Sequence, residues 1–233
     1  MLNPWRPADG LMEAMVEGEI RNGVMRMVDL ENPQPRSNLG CSIITVSSGR
    51  NLMWLQQCKE SVLSQCCTYY IEHIIIDNIG RGLTIGEAYN VGIAKSKYPF
   101  FFVLDDDDEI HETAIQILMD KMLQLKKENL KYYRIACHQL LMNDEGGPLA
   151  LTNMPCQGLF DKEAILTIGG YPSVSWEAYR SPLGIPADVR MMIKGFQAGL
   201  QQAIIPAHLY AYRIHRGQAS FPIQKSTDGK VYE

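Results

Sequence analysis

The run Phe100-Phe101-Phe102-Val103-Leu104 passes without a break into Asp105-Asp106-Asp107-Asp108-Glu109, and few folds accommodate both halves. Aromatic and aliphatic residues in an unbroken run suit a buried strand. Carboxylates this close repel and raise one another's pKa, so an uncompensated cluster weakens the fold. The strand must therefore release them at its carboxyl end, where open α/β sheets bind ligands. A divalent cation would offset the repulsion, and hard oxygen donors suit Mg2+ or Mn2+, either of which can bridge protein carboxylates to a diphosphate. A plainer reading also stands: a solvated acidic loop, or a helix start near residue 110 capped by Asp107 or Asp108. The run lacks the glycine and the distal glutamate of an EF-hand loop, which argues against a Ca2+ module.

The flanking sequence supplies the strand's neighbours. Cys41 to Val46, Ile71 to Ile76 and Phe100 to Leu104 read as short buried strands. Leu52 to Cys66, Ile85 to Lys95 and Glu112 to Glu128 read as helices between and after them. Such alternation predicts an α/β fold with a mainly parallel central sheet flanked by helices, in a single domain. Beyond residue 130 the pattern loosens into a strand at Tyr132 to Gln139, a short helix at Asp161 to Ile168 and a longer one at Pro186 to Ala198. Residues 1–37 read as a helical appendage and linker: Leu11, Met12, Met15 and Val16 recur at helical spacing, and Pro33 and Pro35 mark the linker after that helix. The main domain is expected to span 38–233.

Composition excludes some functions. A hydrophobic share of 46% with 21% charged residues is ordinary for a globular chain and unlike a disordered one. The net charge of −4 gives no global pull toward nucleic-acid backbones or anionic lipid. No apolar run approaches the roughly 18 to 20 residues needed to span a bilayer, and no basic segment followed by an apolar core opens the chain, so a soluble cytoplasmic protein is expected. The six cysteines, at 41, 58, 66, 67, 137 and 156, show neither zinc-site spacing nor a disulfide framework, and no role is assigned to them.

Four segments succeed one another at ordinary spacing: Cys41-Ser42-Ile43-Ile44-Thr45-Val46-Ser47, Ile74-Ile75-Ile76-Asp77-Asn78, Ile85-Gly86-Glu87-Ala88-Tyr89-Asn90-Val91-Gly92-Ile93 and Leu104-Asp105-Asp106-Asp107-Asp108. Together they resemble glycosyltransferase family 2, an inverting family on the nucleotide-diphospho-sugar transferase (GT-A-like) fold. The resemblance covers about 39–125 well and 158–220 more loosely. It implies a donor half at about 38–130 and an acceptor half at about 131–220. It further implies that Ser47 lines the nucleotide pocket, that Asp77 contacts the base, and that Glu87 and Asn90 reach the nucleotide or border its sugar. Asp105 and Asp107 match the outer residues of the DxD motif, which holds metal and donor, with Asp106 on the donor side between them. Val46, Ser48, Gly49, Asn78 and Tyr89 stand where the family usually has Pro, an aromatic residue, Asn, a second Asp and often Arg, and these departures bear on the identity of the base. Taken singly, Asp77 suits a turn before Gly80, Glu87 and Asn90 suit solvated helix positions, and Ser47 suits an ordinary loop.

In the second half, Gly169-Gly170-Tyr171 and the helix opening Ala187-Asp188 resemble the family's acceptor segment, whose acidic pair supplies the catalytic base. Ala187 replaces the first acid, leaving Asp188 as the implied base. An acceptor hydroxyl needs such a group to become nucleophilic, and a metal neutralises charge on the departing diphosphate. The alternative for Asp188 is a helix-dipole or capping partner after Pro186. The segment Tyr210 to Ser220 resembles the family's closing strand and loop, so His215 is expected at the metal or diphosphate, and Arg213 or Arg216 at phosphate. Trp176, Glu177, Tyr179 and Arg180 suit acceptor contact.

The expectation is a metal-dependent inverting glycosyltransferase using Mn2+ or Mg2+ and a nucleotide-sugar donor, UDP by default. The acceptor would be a glycan, lipid-linked sugar, protein or modified nucleobase. Two alternatives remain: a degenerate nucleotide-sugar-binding module, suggested by Ala187, and a sugar nucleotidyltransferase, for which the loop Ser47-Ser48-Gly49-Arg50 is sparse in glycine and basic residues.

Overall fold

The structure is a computed structural model that describes residues 39–128, 131–175 and 185–215. The expected appendage at 1–37, the loop residues Trp176, Glu177, Tyr179 and Arg180, and Arg216 lie outside the described residues. The donor half runs β1 (Gly40–Ser47), α1 (Leu52–Leu63), β2 (Tyr70–Asp77), α2 (Ile85–Lys95), β3 (Phe100–Val103), β4 (Glu109–Ile110) and α3 (Ala114–Lys127). The second half runs β5 (Tyr132–Met142), β6 (Pro148–Pro155), β7 (Leu159–Asp161), α4 (Lys162–Thr167), α5 (Ala187–Gln197) and β8 (Gln201–Arg213).

All eight residues of β1 are buried, as befits a strand covered on both faces. Alternation along β1 and β3 divides the core between two layers. Cys41, Ile43, Phe100 and Phe102 pack with Leu118, Met119 and Met122 of α3 on one side. Ile44, Val46, Phe101 and Val103 pack with Ala88 and Ile93 of α2 and Met191 of α5 on the other. The result is a mixed α/β domain with helices on both faces of its sheet.

Among the described residues the sheet has eight strands in the order β2-β1-β3-β7-β5-β8-β4, with β6 also paired to β5. In the donor half β1 lies parallel to both β2 and β3, as the strand–helix alternation requires. The second half departs from the mainly parallel expectation. There β5 and β8 are parallel, but β7 is antiparallel to both β3 and β5, β6 to β5, and β4 to β8. These antiparallel pairs need no crossover helix; β5 and β6 are joined by the turn at Asn143, whose N–H donates to Gly147 O at 2.9 Å. Short β4 and β7 and the largely exposed β6 carry no periodic signal long enough to read from sequence. Among the described residues no helix is long and apolar enough to cross a membrane.

Helix α2 starts with a capping box: Thr84 Oγ1 accepts from Glu87 N–H at 3.3 Å, and Glu87 Oε2 accepts from Thr84 N–H at 2.8 Å. Its other end lies so close to β1 that a Cβ on Gly92 would stand 2.3 Å from Ile44 Cγ2. Gly92→Ala gains at most about 1 kcal/mol of helix propensity, against an overpacking cost of about 1–3 kcal/mol. The variant is therefore expected to be less stable, with a lower urea midpoint. A raised midpoint would mean that α2 can shift away from the sheet at little cost.

Candidate active site

The chain leaves β3 at Val103 and turns within Asp105–Asp108, closed by Asp108 N–H to Asp105 O at 3.2 Å. The four aspartates have different partners. Asp108 is 1% exposed and accepts from Tyr210 Oη at 2.6 Å and from Arg213 N–H at 2.8 Å. Burial, then the charges of Asp107 and Asp105, push its carboxyl well above the usual range. It anchors the turn to β8. Asp105 accepts a hydrogen bond from Tyr89 Oη. Burial first, then the charge of Asp107, push Asp105 up to about 7 against the lowering effect of that bond. Asp106 accepts from Ser48 N–H at 2.9 Å, and burial raises its pKa despite that donor. Asp107 Oδ2 lies 2.8 Å from His215 Nε2.

Asp106, Asp107 and His215 line a small polar cleft together with Ser48, Arg50, Asn51 and Trp54. Asn51 caps α1, its side chain accepting from Met53 N–H at 3.0 Å and Trp54 N–H at 3.3 Å, which sets Trp54 in the first turn beside the β1 loop. The indole donates to Asp144 O at 3.1 Å and lies 4.4 Å from the His215 ring. Sequence reasoning passed over Trp54; its signal was the Asn cap three residues earlier, directly after the first strand's loop.

The expectation was Arg213 or Arg216 at phosphate, and the structure takes Arg213 out of that pair. Arg213 is 0% exposed, and each guanidinium nitrogen already has an acceptor. Nε donates to Asp107 O at 2.8 Å, Nη1 to Asn143 O and Asp144 O at 3.2 and 3.0 Å, and Nη2 to Gln57 Oε1 and Glu109 Oε1 at 3.0 and 2.8 Å. It fastens the acidic turn to α1 and to the β5–β6 hairpin.

The remaining expected residues fall into two groups. Ser47 and Asp77 end adjacent strands in register at the sheet edge from which the acidic turn emerges. Ser47 Oγ accepts from Gly49 N–H at 3.3 Å, and Asp77 Oδ1 accepts from Ile79 N–H at 2.9 Å, closing a local turn. Asn78 donates to Leu83 O at 3.0 Å, and its buried Oδ1 has no partner among the described residues. Asp188 opens α5; burial raises its pKa against the backbone N–H groups of Val189 and its own residue. Its charge in turn raises Asp105 and Tyr171, so it shares the field of the acidic turn.

Of the expected residues Asp106, Asp107 and His215 line the cleft, whereas Ser47, Asp77, Asp105, Asp188, Glu87 and Asn90 do not. Glu87 belongs to the capping box and accepts from Ser173 Oγ at 3.1 Å. Asn90 clasps the Tyr171 main chain, donating to its carbonyl at 2.8 Å and accepting from its N–H at 2.9 Å. Tyr171 in turn donates to Gln157 Oε1 at 3.3 Å, and Gln157 Nε2 donates to Tyr89 Oη at 3.5 Å. A chain of polar contacts thus leads from the glycine pair to Asp105. Tyr89, which stood out in the sequence only as a departure from Arg, is its central link.

Among the described residues no three His, Cys, Asp and Glu side chains are grouped as a metal cage. A nucleotide-bound Mg2+ needs less, because one or two carboxylates suffice when phosphates and water complete the shell. Asp105 and Asp107 at the exit of β3 are donors of suitable hardness and number.

No family model matches the chain, and no curated protein matches it in sequence. Solved structures do. S. aureus TarS 1-349 in complex with UDP-GlcNAc aligns with a TM-score of 0.55 and 10% identity over 78% of this chain and 60% of that one. S. aureus TarS 1-349 by itself aligns with a TM-score of 0.51 and 9% identity over 75% and 60%. The chain thus spans less than two thirds of the protein it matches. At such identity the likeness speaks to architecture, and that architecture is the GT-A-type glycosyltransferase fold.

Proposed function

We propose that this chain is a metal-dependent, inverting glycosyltransferase that moves a sugar from a nucleotide-diphosphate donor, UDP by default, to an acceptor hydroxyl. The observation that carries the reading is the acidic turn Asp105–Asp107, delivered by a buried strand to the sheet edge shared by Ser47 and Asp77, within a GT-A-type fold. The fold neighbour solved with UDP-GlcNAc supports a nucleotide sugar as donor.

In this reading Asp105 and Asp107 hold Mn2+ or Mg2+, which when bound neutralises charge on the leaving diphosphate. His215 contributes by orienting the Asp107 carboxylate through its 2.8 Å contact, as outer partners of metal ligands do. Asp106 fixes the Ser48 backbone, and with it the loop that borders the nucleotide. Asp188 takes the proton from the acceptor hydroxyl as the hydroxyl attacks the anomeric carbon on the face opposite the diphosphate. Burial raises its pKa, which makes it a stronger proton acceptor than an ordinary aspartate. Ala187, in place of the family's first acid, is 3% exposed and packs in the layer of α2 and α5, so its methyl serves the core and leaves the base in place. A glycan, lipid-linked sugar, protein or modified nucleobase fits as acceptor class.

Titration of UDP-GlcNAc by calorimetry in Mn2+ tests the metal assignment. Asp105→Ala and Asp107→Ala are each expected to weaken binding by about 10-fold or more, and unchanged affinity in both would sink it. Asp106→Ala is expected to cost less. Asp108→Asn is expected to lower the melting temperature instead, since that carboxyl is buried against Tyr210 and Arg213.

Asp188→Asn separates base from helix cap, because the amide still accepts a hydrogen bond but takes no proton at neutral pH. The expected outcome is a folded protein that binds donor normally and releases UDP from UDP-GlcNAc at least about 100-fold more slowly. A rate near wild type would assign Asp188 to the helix start alone.

A further inference from the structure

Six cysteines are free thiols, and two of them meet across paired strands. Cys137 lies in β5 and Cys156 directly follows β6; the Cys156 N–H donates to Cys137 O at 2.9 Å, and the two sulfurs are 3.4 Å apart. Opposed residues on antiparallel strands have Cα atoms about 4.5–5.5 Å apart, inside the roughly 4.4–6.8 Å range of disulfides. The sulfurs would need to close by little more than about 1 Å to reach bonding distance. Both thiols are buried, at 0% and 1% exposure, yet neighbouring β6 is largely exposed. The pairing of β5 with β8 shifts register between Cys137 and His138, and its pairings with both β6 and β8 shift again between His138 and Gln139. Interrupted ladders beside an exposed strand open locally at low cost, which gives a small oxidant access.

We propose that Cys137 and Cys156 form a reversible dithiol–disulfide site that reacts with hydrogen peroxide. The Cys156 thiolate attacks one peroxide oxygen, the O–O bond breaks, and the departing hydroxide leaves as water after protonation, giving a sulfenic acid. The Cys137 sulfur then attacks the Cys156 sulfur, the S–O bond breaks, and a second water departs with the Cys137 proton. Two thiols supply the two electrons that reduce one peroxide. Cys156 is the attacking thiol because the Arg134 guanidinium hydrogen-bonds Cys156 O and Gln157 O and so lies on its side of the pair; in the 3.4 Å contact either sulfur can donate to the other. The bridge would form one residue from Gln157, the side chain that holds the Tyr89 hydroxyl, and so would bear on the acidic turn without touching it.

The full chain is treated with hydrogen peroxide, denatured, alkylated and mapped by mass spectrometry. The expected product has the peptides of Cys137 and Cys156 joined, the other four cysteines alkylated, and all six alkylated after dithiothreitol. In Cys137→Ser, dimedone is expected to label Cys156. The proposal is overturned if both thiols are alkylated after peroxide, if Cys156 ends as a sulfinic acid without a bridge, or if the bridge forms through Cys66 or Cys67 instead. The mapping needs only the unmodified protein, so poor folding of the variant would leave the result intact.

Discussion

Crowded negative charge governs this molecule, and its architecture distributes that charge among distinct partners. One carboxyl of the acidic turn, Asp108, is given to a tyrosine hydroxyl and a backbone N–H. Glu109 is paired with a buried guanidinium. Asp105, Asp106 and Asp107 go respectively to a tyrosine, a loop N–H and a histidine. Arg213 is central to this division because it touches the turn's backbone, its last acid, helix α1 and the hairpin turn together. Breaking such a buried pair by removing one partner typically costs about 3–5 kcal/mol, since the other charge is left stranded. The geometry of the acidic turn is thus inherited from a buried ion pair.

The same arrangement explains how the two halves of the sheet cooperate. The parallel half places Ser47 and Asp77 at one edge, and β3 brings the acids to that edge. The mixed second half supplies the counterparts: β8 carries Tyr210, Arg213 and the approach to His215, while Gln157 lies just ahead of β7. Asn90 is the strap between them, since its amide holds the main chain of Tyr171 from a helix of the other half.

Legibility from sequence tracked the physical range of each signal. The longer donor-half elements were readable because each announces itself within a dozen residues through period-2 or period-3.6 patterning, and α2 matched its expected limits of Ile85 and Lys95. The acidic turn at the end of a buried strand was readable because an apolar run and a charge cluster are jointly informative. The short strands β4 and β7 were not, because two or three residues carry no period. Arg213 was expected at phosphate only as one of a pair with Arg216, through the resemblance of the closing strand, and its structural role depends on partners up to 156 positions away. Glu87 and Asn90 were noticed, but the reason they matter in the fold, a helix cap and a clasp on Tyr171, depends on residues 173 and 171.

The distance along the chain between Gln57 and Arg213 also sets an order of events. Closing so long a loop is entropically slow, so contacts of that span form late. Until β8 docks, the parallel strands can assemble around β1 while the acidic turn remains without its buried cation and its tyrosine. The geometry of the acidic turn therefore arrives with β8, and a partly folded chain presents a repulsive, water-exposed turn in its place.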